Sequence, residues 1–301
     1  MSFTSRREIL FLYTVRDANP NGDPLNQNHP RYDEDTEQAL VSDVRIKRTI
    51  RDQWVREGKT VFVDGESKTL KTRFEELKKL TGREKGEEVL AQCIDTRLFG
   101  VTFALGNKEA FSWTGPVQFK WGRSLHAATF EFVQGTAAFA AKEDSEQRSF
   151  RNEYKVPFAL LSVYGIANQY PAQTTGASDE DLADLAEALW AGTDNLITRS
   201  KMEHKARLYL EVQYKEGFNG KIGSLDEKVS LLSRDGQVLE RDAQKALRSL
   251  DEVKLDVRPL VAALKKHQDV IQRVKVVYDP ALQLDGEDEL TSLGFLTLET
   301  R

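Results

Sequence analysis

Four cations, Arg45, Lys47, Arg48 and Arg51, fall within the stretch VSDVRIKRTIRDQW. Cations at that spacing can neutralise several phosphates, and the arginine fork matches a pair of phosphate oxygens. Ahead of them, Arg16–Asn26 reads RDANPNGDPLN. Its amides Asn19 and Asn21, with Gly22, offer side-chain donors and accessible backbone N–H groups to an anion. Pro20 and Pro24 disfavour helix at the residues before them, so the turn stays open. Glycine at 22 implies either a left-handed backbone or a close approach of backbone to ligand. Further along, Phe99, Phe111, Trp113, Phe119 and Trp121 are interleaved with Arg97, Lys120 and Arg123. Flat rings beside cations are what single-stranded nucleic acid needs. If Phe119–Trp121 is one strand, Lys120 faces away from both rings, so these residues do not all serve one surface.

Chemistry of other kinds is missing. The sequence holds no phosphate-binding G-x-x-x-x-G-K-[ST] loop, no G-x-S-x-G elbow, no H-E-x-x-H and no C-x-x-C. His29, His126, His204 and His267 are scattered, and Cys93 reads as a small buried residue. Asp23, Asp33 and Asp35 are the carboxylates that a divalent cation would use, with a solvated acidic loop as the plainer reading. No catalytic residue, metal ligand or cofactor is assigned.

The cations and amides need elements to hold them. REILFLYTV is a buried strand ended by the Pro/Gly loop. Ser42 caps the following helix, with Asp43 in its first turn and Ile46, Ile50 and Trp54 on one stripe. TVFVDG is strand-like, Leu70–Leu80 and Glu84–Cys93 are charged helices, and Phe111–Ser124 has strand composition broken at Gly115-Pro116. VPFALLSVYGIANQY is a second buried strand or strand pair. Asp179–Leu189 is a helix capped by Ser178, and Arg207–Gly217 alternates as a half-buried strand. A helical stretch over Asp251–Lys266 and a last strand at RVKVVYDP complete the pass. This order lacks the regular alternation of a parallel sheet and fits an α+β, ferredoxin-like core with long insertions.

The 301 residues have a net charge of −5, which argues mildly against a freely diffusing DNA binder, although acid and base are segregated along the chain. A single cysteine suits a reducing compartment. No apolar run reaches the roughly 20 residues of a membrane helix, and MSFTSRREIL is no secretory leader. A cytoplasmic protein without a membrane partner is expected.

NPNGDP after the first strand, followed by LVSDVRIKRTIR and then DTRLFG (Asp95–Gly100), TGPVQF (Thr114–Phe119) and ITRSK (Ile197–Lys201), resembles a known family. It is that of the CRISPR-associated Cascade backbone subunits of type I, in the I-B and I-C branch. The resemblance implies a single RNA-recognition-motif palm over 1–301, with fingers near 61–90, a thumb near 127–154 and a web or C-terminal elaboration over 215–270. It implies a non-catalytic subunit whose copies line up head to tail along a CRISPR RNA. They present the guide for pairing with target DNA, beside other Cascade subunits and a recruited helicase-nuclease. By position, Ser42, Arg45, Lys47, Arg48 and Arg51 would hold guide phosphates, and Asn19, Asn21 and Gly22 would line the same groove. Arg97 and Phe99, Lys120 and Arg123, Phe150, Arg151 and Asn152 of the thumb, and Arg199, Ser200 and Lys201 complete the expected RNA-binding set. The alternatives are a metal-dependent RNA-cleaving backbone subunit of the type III kind and a generic single-strand RNA binder.

Overall fold

The computed structural model describes the backbone of residues 1–66, 68–106, 109–140 and 148–301; the side chains of residues 136–140 and 148–151 lie outside the described residues. In chain order the framework is β1 (Arg7–Ala18), α1 (Asp43–Arg56), β2 (Val117–Phe119), β3 (Gly122–Ser124), β4 (Glu131–Ala140), β5 (Arg148–Ala167), α2 (Asp179–Asp194), β6 (His204–Tyr214), β7 (Ile271–Tyr278) and β8 (Leu296–Thr300). β1 lies between β5 and β6 and is antiparallel to both, so Phe11 faces Val163 on one side and Tyr209 on the other. The C-terminal half of β5 pairs with β2 and β3, while its N-terminal half forms a hairpin with β4. On the far side β6 pairs with β7, which pairs in parallel with β8. The order β-α-β-β-α-β with β1 in the middle is a ferredoxin-like core.

β1 is apolar from Ile9 to Tyr13 because both faces of the sheet are covered there. Ile9, Phe11, Tyr13 and Val15 point into a core shared with Ile46, Ile50 and Trp54 of α1 and Leu182, Leu185 and Leu189 of α2. Leu10 and Leu12 point the other way, into a core completed by Leu225, Leu250, Val253, Leu255, Leu260 and Leu264. A third, smaller core gathers Phe74, Leu77, Val89, Leu90, Cys93 and Phe103.

The helices start where their caps dictate. The Ser42 hydroxyl accepts from Arg45 N, and Ser178 and Asp181 form a reciprocal capping box at α2. α1 and α2 pack closely at Gly192, where a Cβ would sit 3.0 Å from the Thr49 carbonyl oxygen. Trp54 Nε1 donates to the Asp184 carbonyl across the same interface at 3.2 Å.

Several expected elements take another form. TVFVDG is irregular, because the Phe62 and Val63 amides donate to the Asp95 carboxylate rather than to a strand. Of VPFALLSVYGIANQY, residues 156–167 are one strand, the end of the 20-residue β5, and Asn168 caps a short helix, Gln169–Thr175. The Asp251–Lys266 stretch is a short strand, Val253–Asp256, followed by a helix, Arg258–Lys266. The strand forms because Ser230–Ser233 pairs with it, and Pro259 in the first turn starts the helix. RVKVVYDP is followed by two more strands, the two-residue Leu284–Asp285 and β8.

Glu8 is fully buried on the Leu10 face of the sheet. Its carboxylate accepts from the Tyr164 and Tyr214 hydroxyls and from the amides of Ile222 and Gly223, at 2.7 and 2.8 Å. One residue thereby fastens the covering segment to the sheet. Glu8→Ala strands two hydroxyls and the Gly223 amide, while Ile222 N keeps the Tyr214 hydroxyl, and a loss of about 3 kcal/mol is expected in urea denaturation.

A candidate nucleic-acid interface

The opening loop is braced by its own amides. Asn19 and Asn21 are buried. Asn19 Nδ2 donates to the Asn28 carbonyl at 2.8 Å, and Asn19 N donates to the Ser200 carbonyl at 2.7 Å. Asn21 Oδ1 accepts from Ser42 N at 2.8 Å, which ties the loop to the start of α1. The sequence suggested that Gly22 serves a left-handed backbone or a ligand. Its φ is ordinary, so no left-handed backbone is involved; it bridges to Pro30, and a Cβ there would overlap the Asn28 side chain. The loop's own packing thus favours glycine.

The four α1 cations singled out from the sequence are all engaged. Lys47 pairs with Asp43 at 3.3 Å, Arg48 with Asp52 at 2.6 Å, and Arg45 lies 3.8 Å from Asp52. Arg48 also donates to the Val63 carbonyl at 3.2 Å. Arg51 Nε donates at 2.8 Å to Asp95, which is wholly buried. Lys47 and Arg51 lie 5.6 and 5.2 Å from the Phe99 ring, which itself is buried and stacked on Trp54. Arg97 grips Asp181 with two nitrogens at 2.9 and 2.6 Å, and this hydrogen bonding raises its pKa. The Asp-Thr-Arg-Leu-Phe segment is therefore an internal staple: Asp95 holds α1, Arg97 holds the α2 cap and Phe99 fills the core. Lys120 reaches Asp226 and Glu227, at 2.7 and 3.1 Å, in the segment covering the sheet.

Other expected residues do converge. Gln27 and Asn28 of the opening loop, Asn152–Tyr154 of β5 and Thr198–Ser200 line one cleft. Arg199 is 68% exposed and 3.3 Å from Glu153. Asn152 is exposed beside Gln134, whereas Phe150 and Arg151 lie outside the described residues. A second cleft adjoins the loop, lined by Asp23, His29, Arg31, Tyr32, Trp121 and Phe130. Arg123 pairs with Asp33 at 2.7 Å.

Sequence reasoning missed an aromatic cluster here. His29 meets Phe130 and Tyr154 edge-on at 4.2 and 4.8 Å, Tyr32 meets Phe130 at 5.2 Å, and Phe132 meets Tyr154 at 5.1 Å. Phe130 and Phe132 keep substantial exposure, as does Trp121, with the Arg31 guanidinium 5.7 Å from its ring. The i, i+2 spacing of Phe130 and Phe132 was the available signal. Of the five aromatics singled out from the sequence, Phe99 and Phe119 are core, and Phe111 and Trp113 pack on the third core. Trp121 is the exposed one.

The loop carboxylates are turn-formers. Asp33 Oδ1 accepts from the Asp35 and Thr36 amides, and hydrogen bonding to Arg123 is the main cause of its lowered pKa. Asp23 accepts from Leu25 N at 3.1 Å. Among the described residues no group of three or more His, Cys, Asp or Glu is arranged to hold a metal. Burial pushes the Cys93 thiol up to about 12, which leaves it unreactive.

Two consequences can be checked. Arg51→Ala leaves Asp95 buried without its cation, and a loss of about 3 kcal/mol is expected in chemical denaturation. Gly22→Val should loosen the opening loop, seen as faster amide exchange at Arg31, and adding Asn28→Gly should restore protection.

With the geometry in hand, the chain can be set beside known proteins. Residues 5–258 match the family model described as CRISPR-associated protein Cas7. A curated relative from Haloferax volcanii, named CRISPR-associated protein Cas7, is 31% identical over 319 aligned positions, covering 96% of this chain and 91% of the relative. A chain from a solved structure titled "CRISPR RNA-guided surveillance complex, pre-nicking" superposes with a TM-score of 0.54 at 15% identity, covering 93% of this chain and 96% of that one. A second, titled "CRISPR RNA-guided surveillance complex", gives 0.52 at 15% identity, covering 93% and 94%. The superpositions carry the fold, an α+β RNA-recognition-motif-like palm. The family model and the Haloferax relative carry the identity: this chain belongs to the CRISPR-associated Cas7 family.

Proposed function

We propose that this protein is a non-catalytic, cytoplasmic backbone subunit of a type I surveillance complex, and that its copies polymerise along the spacer of a CRISPR RNA. The observation that carries the reading is the convergence of the opening loop, the base of the β4–β5 hairpin and the Thr198–Ser200 loop around one cleft, with the start of α1 tied to the opening loop through Asn21. Both faces of the sheet are occupied by the chain itself, so an RNA strand has to run along this loop-lined end rather than across the sheet.

Arg199 contacts a phosphate in this reading, exchanging Glu153 for the stronger acceptor, and Arg45, Lys47 and Arg48 add positive potential along α1. Trp121, Phe130 and Phe132 offer stacking surfaces at the neighbouring cleft. The guide's bases stay free to pair with target DNA, so sequence is read by pairing and not by protein. Other subunits complete the complex, and a separate helicase-nuclease is recruited to cut. The loop carboxylates hold turns, which favours this reading over RNA cleavage by the subunit itself.

Co-expression with a CRISPR array tests the proposal. The purified material should be a large particle containing array-derived RNA at a fixed ratio, and an RNA-free monomer would overturn it. Arg199→Ala should leave thermal stability unchanged. It should weaken binding equally for unrelated spacers and reduce the slope of log affinity against log salt by about 0.7.

A further inference from the structure

Lys201 sits beside Arg199 in sequence, yet its ammonium is turned inward. Nζ donates to the Asn19 carbonyl at 2.5 Å and lies 3.3 Å from the Pro20 carbonyl. Next to it, Asn19 N donates to the Ser200 carbonyl at 2.7 Å, so two adjacent residues hold the loop at three points. Among the described residues Lys201 has no carboxylate partner. The charged group facing it is Arg45, of the same sign, and His204 lies buried nearby. Burial and the Lys201 charge pull the His204 pKa down to about 3, so that ring is neutral.

We infer that Lys201 is a positioning residue: its inward ammonium latches the opening loop through the Asn19 and Pro20 carbonyls and sets the wall of the cleft without touching RNA. Among the described residues, carbonyl oxygens are the only acceptors of this ammonium, and a lysine serving a phosphate would leave its charge in the groove. The latch also runs against folding. Burial, and secondarily Arg45, pull its pKa down to about 8, so holding the charge at neutral pH is disfavoured relative to the unfolded chain. A residue kept for stability would not carry that penalty without a carboxylate. The three attachments define the path of Asn19–Asn21, and Asn21 in turn holds the start of α1 through Ser42.

The inference rests on the RNA reading for its purpose but not for its geometry, and the two can be tested apart. In the full-length RNA-free protein, Lys201→Met should speed amide exchange at Asn19 and Arg31 by about tenfold or more, with the melting temperature held or raised. Against a single-stranded RNA oligonucleotide the variant should bind more weakly with an unchanged salt slope, and Lys201→Arg should recover part of the protection. Unchanged exchange at Asn19 and Arg31 would overturn the latch, as would a salt slope that falls by about 0.7. A rise in exchange alongside wild-type protein that fails to bind RNA would uphold the latch and sink the RNA reading instead.

Discussion

Arg7 and Glu8 are neighbours at the start of β1, and strand alternation sends them to opposite faces of the sheet. Arg7 reaches Glu211 on β6 at 2.9 Å and also binds Asp179 in the first turn of α2, so it fixes the helical layer. Glu8 gathers two tyrosine hydroxyls and two amides, so it fixes the segment that covers the other face. Both are buried, and a buried charge is tolerated when it is paired and hydrogen-bonded. Between them the two side chains determine that the central strand is enclosed on both sides.

That enclosure moves any ligand surface to the ends of the strands. At the end of β1 the chain leaves through the opening loop, and there the loop, the hairpin base and the Thr198–Ser200 turn line one cleft, with the helix start tied to the loop through Asn21. Polar groups in this region divide into two kinds. Asn19, Asn21, Ser42, Arg51 and Arg97 spend their hydrogen bonds on the chain. Arg199, Asn152, Trp121 and the Phe130–Phe132 strand edge keep accessible surface. A surface built this way has a stiff backbone behind a small number of free side chains. Such preorganisation lowers the ordering cost of binding an extended strand.

Charge follows the same division. The net charge of −5 coexists with a cation-rich helix because most of its cations sit beside aspartates of the same protein. Asp52 serves Arg45 and Arg48 in a half-exposed setting. Partners of that kind contribute little to stability, so a phosphate can displace them at small cost. Asp95 is different: it is inaccessible and also accepts two amides, so Arg51 cannot turn outward without leaving a buried carboxylate uncompensated.

The sequence alone determined β1, the capped helices α1 and α2, the α+β class and the family, since these rest on neighbours in the chain. Periodicity writes Ile46, Ile50 and Trp54 onto one stripe, and Ser42 and Ser178 mark their helix starts within three residues of the amides they cap. The Asn-Pro-Asn-Gly-Asp-Pro and Asp-Val-Arg-Ile-Lys-Arg segments are local in the same sense. Only the tertiary structure decided which polar residues face outward. Arg51 meets its aspartate 44 positions away and Arg97 meets its own 84 positions away, while Lys201 reaches back 182 positions to Asn19. The strand within Asp251–Lys266 likewise depends on a partner at Ser230–Ser233. A cation's pattern in sequence is the same whether it pairs with phosphate or with a distant carboxylate, because only folding brings the competing acceptor within reach.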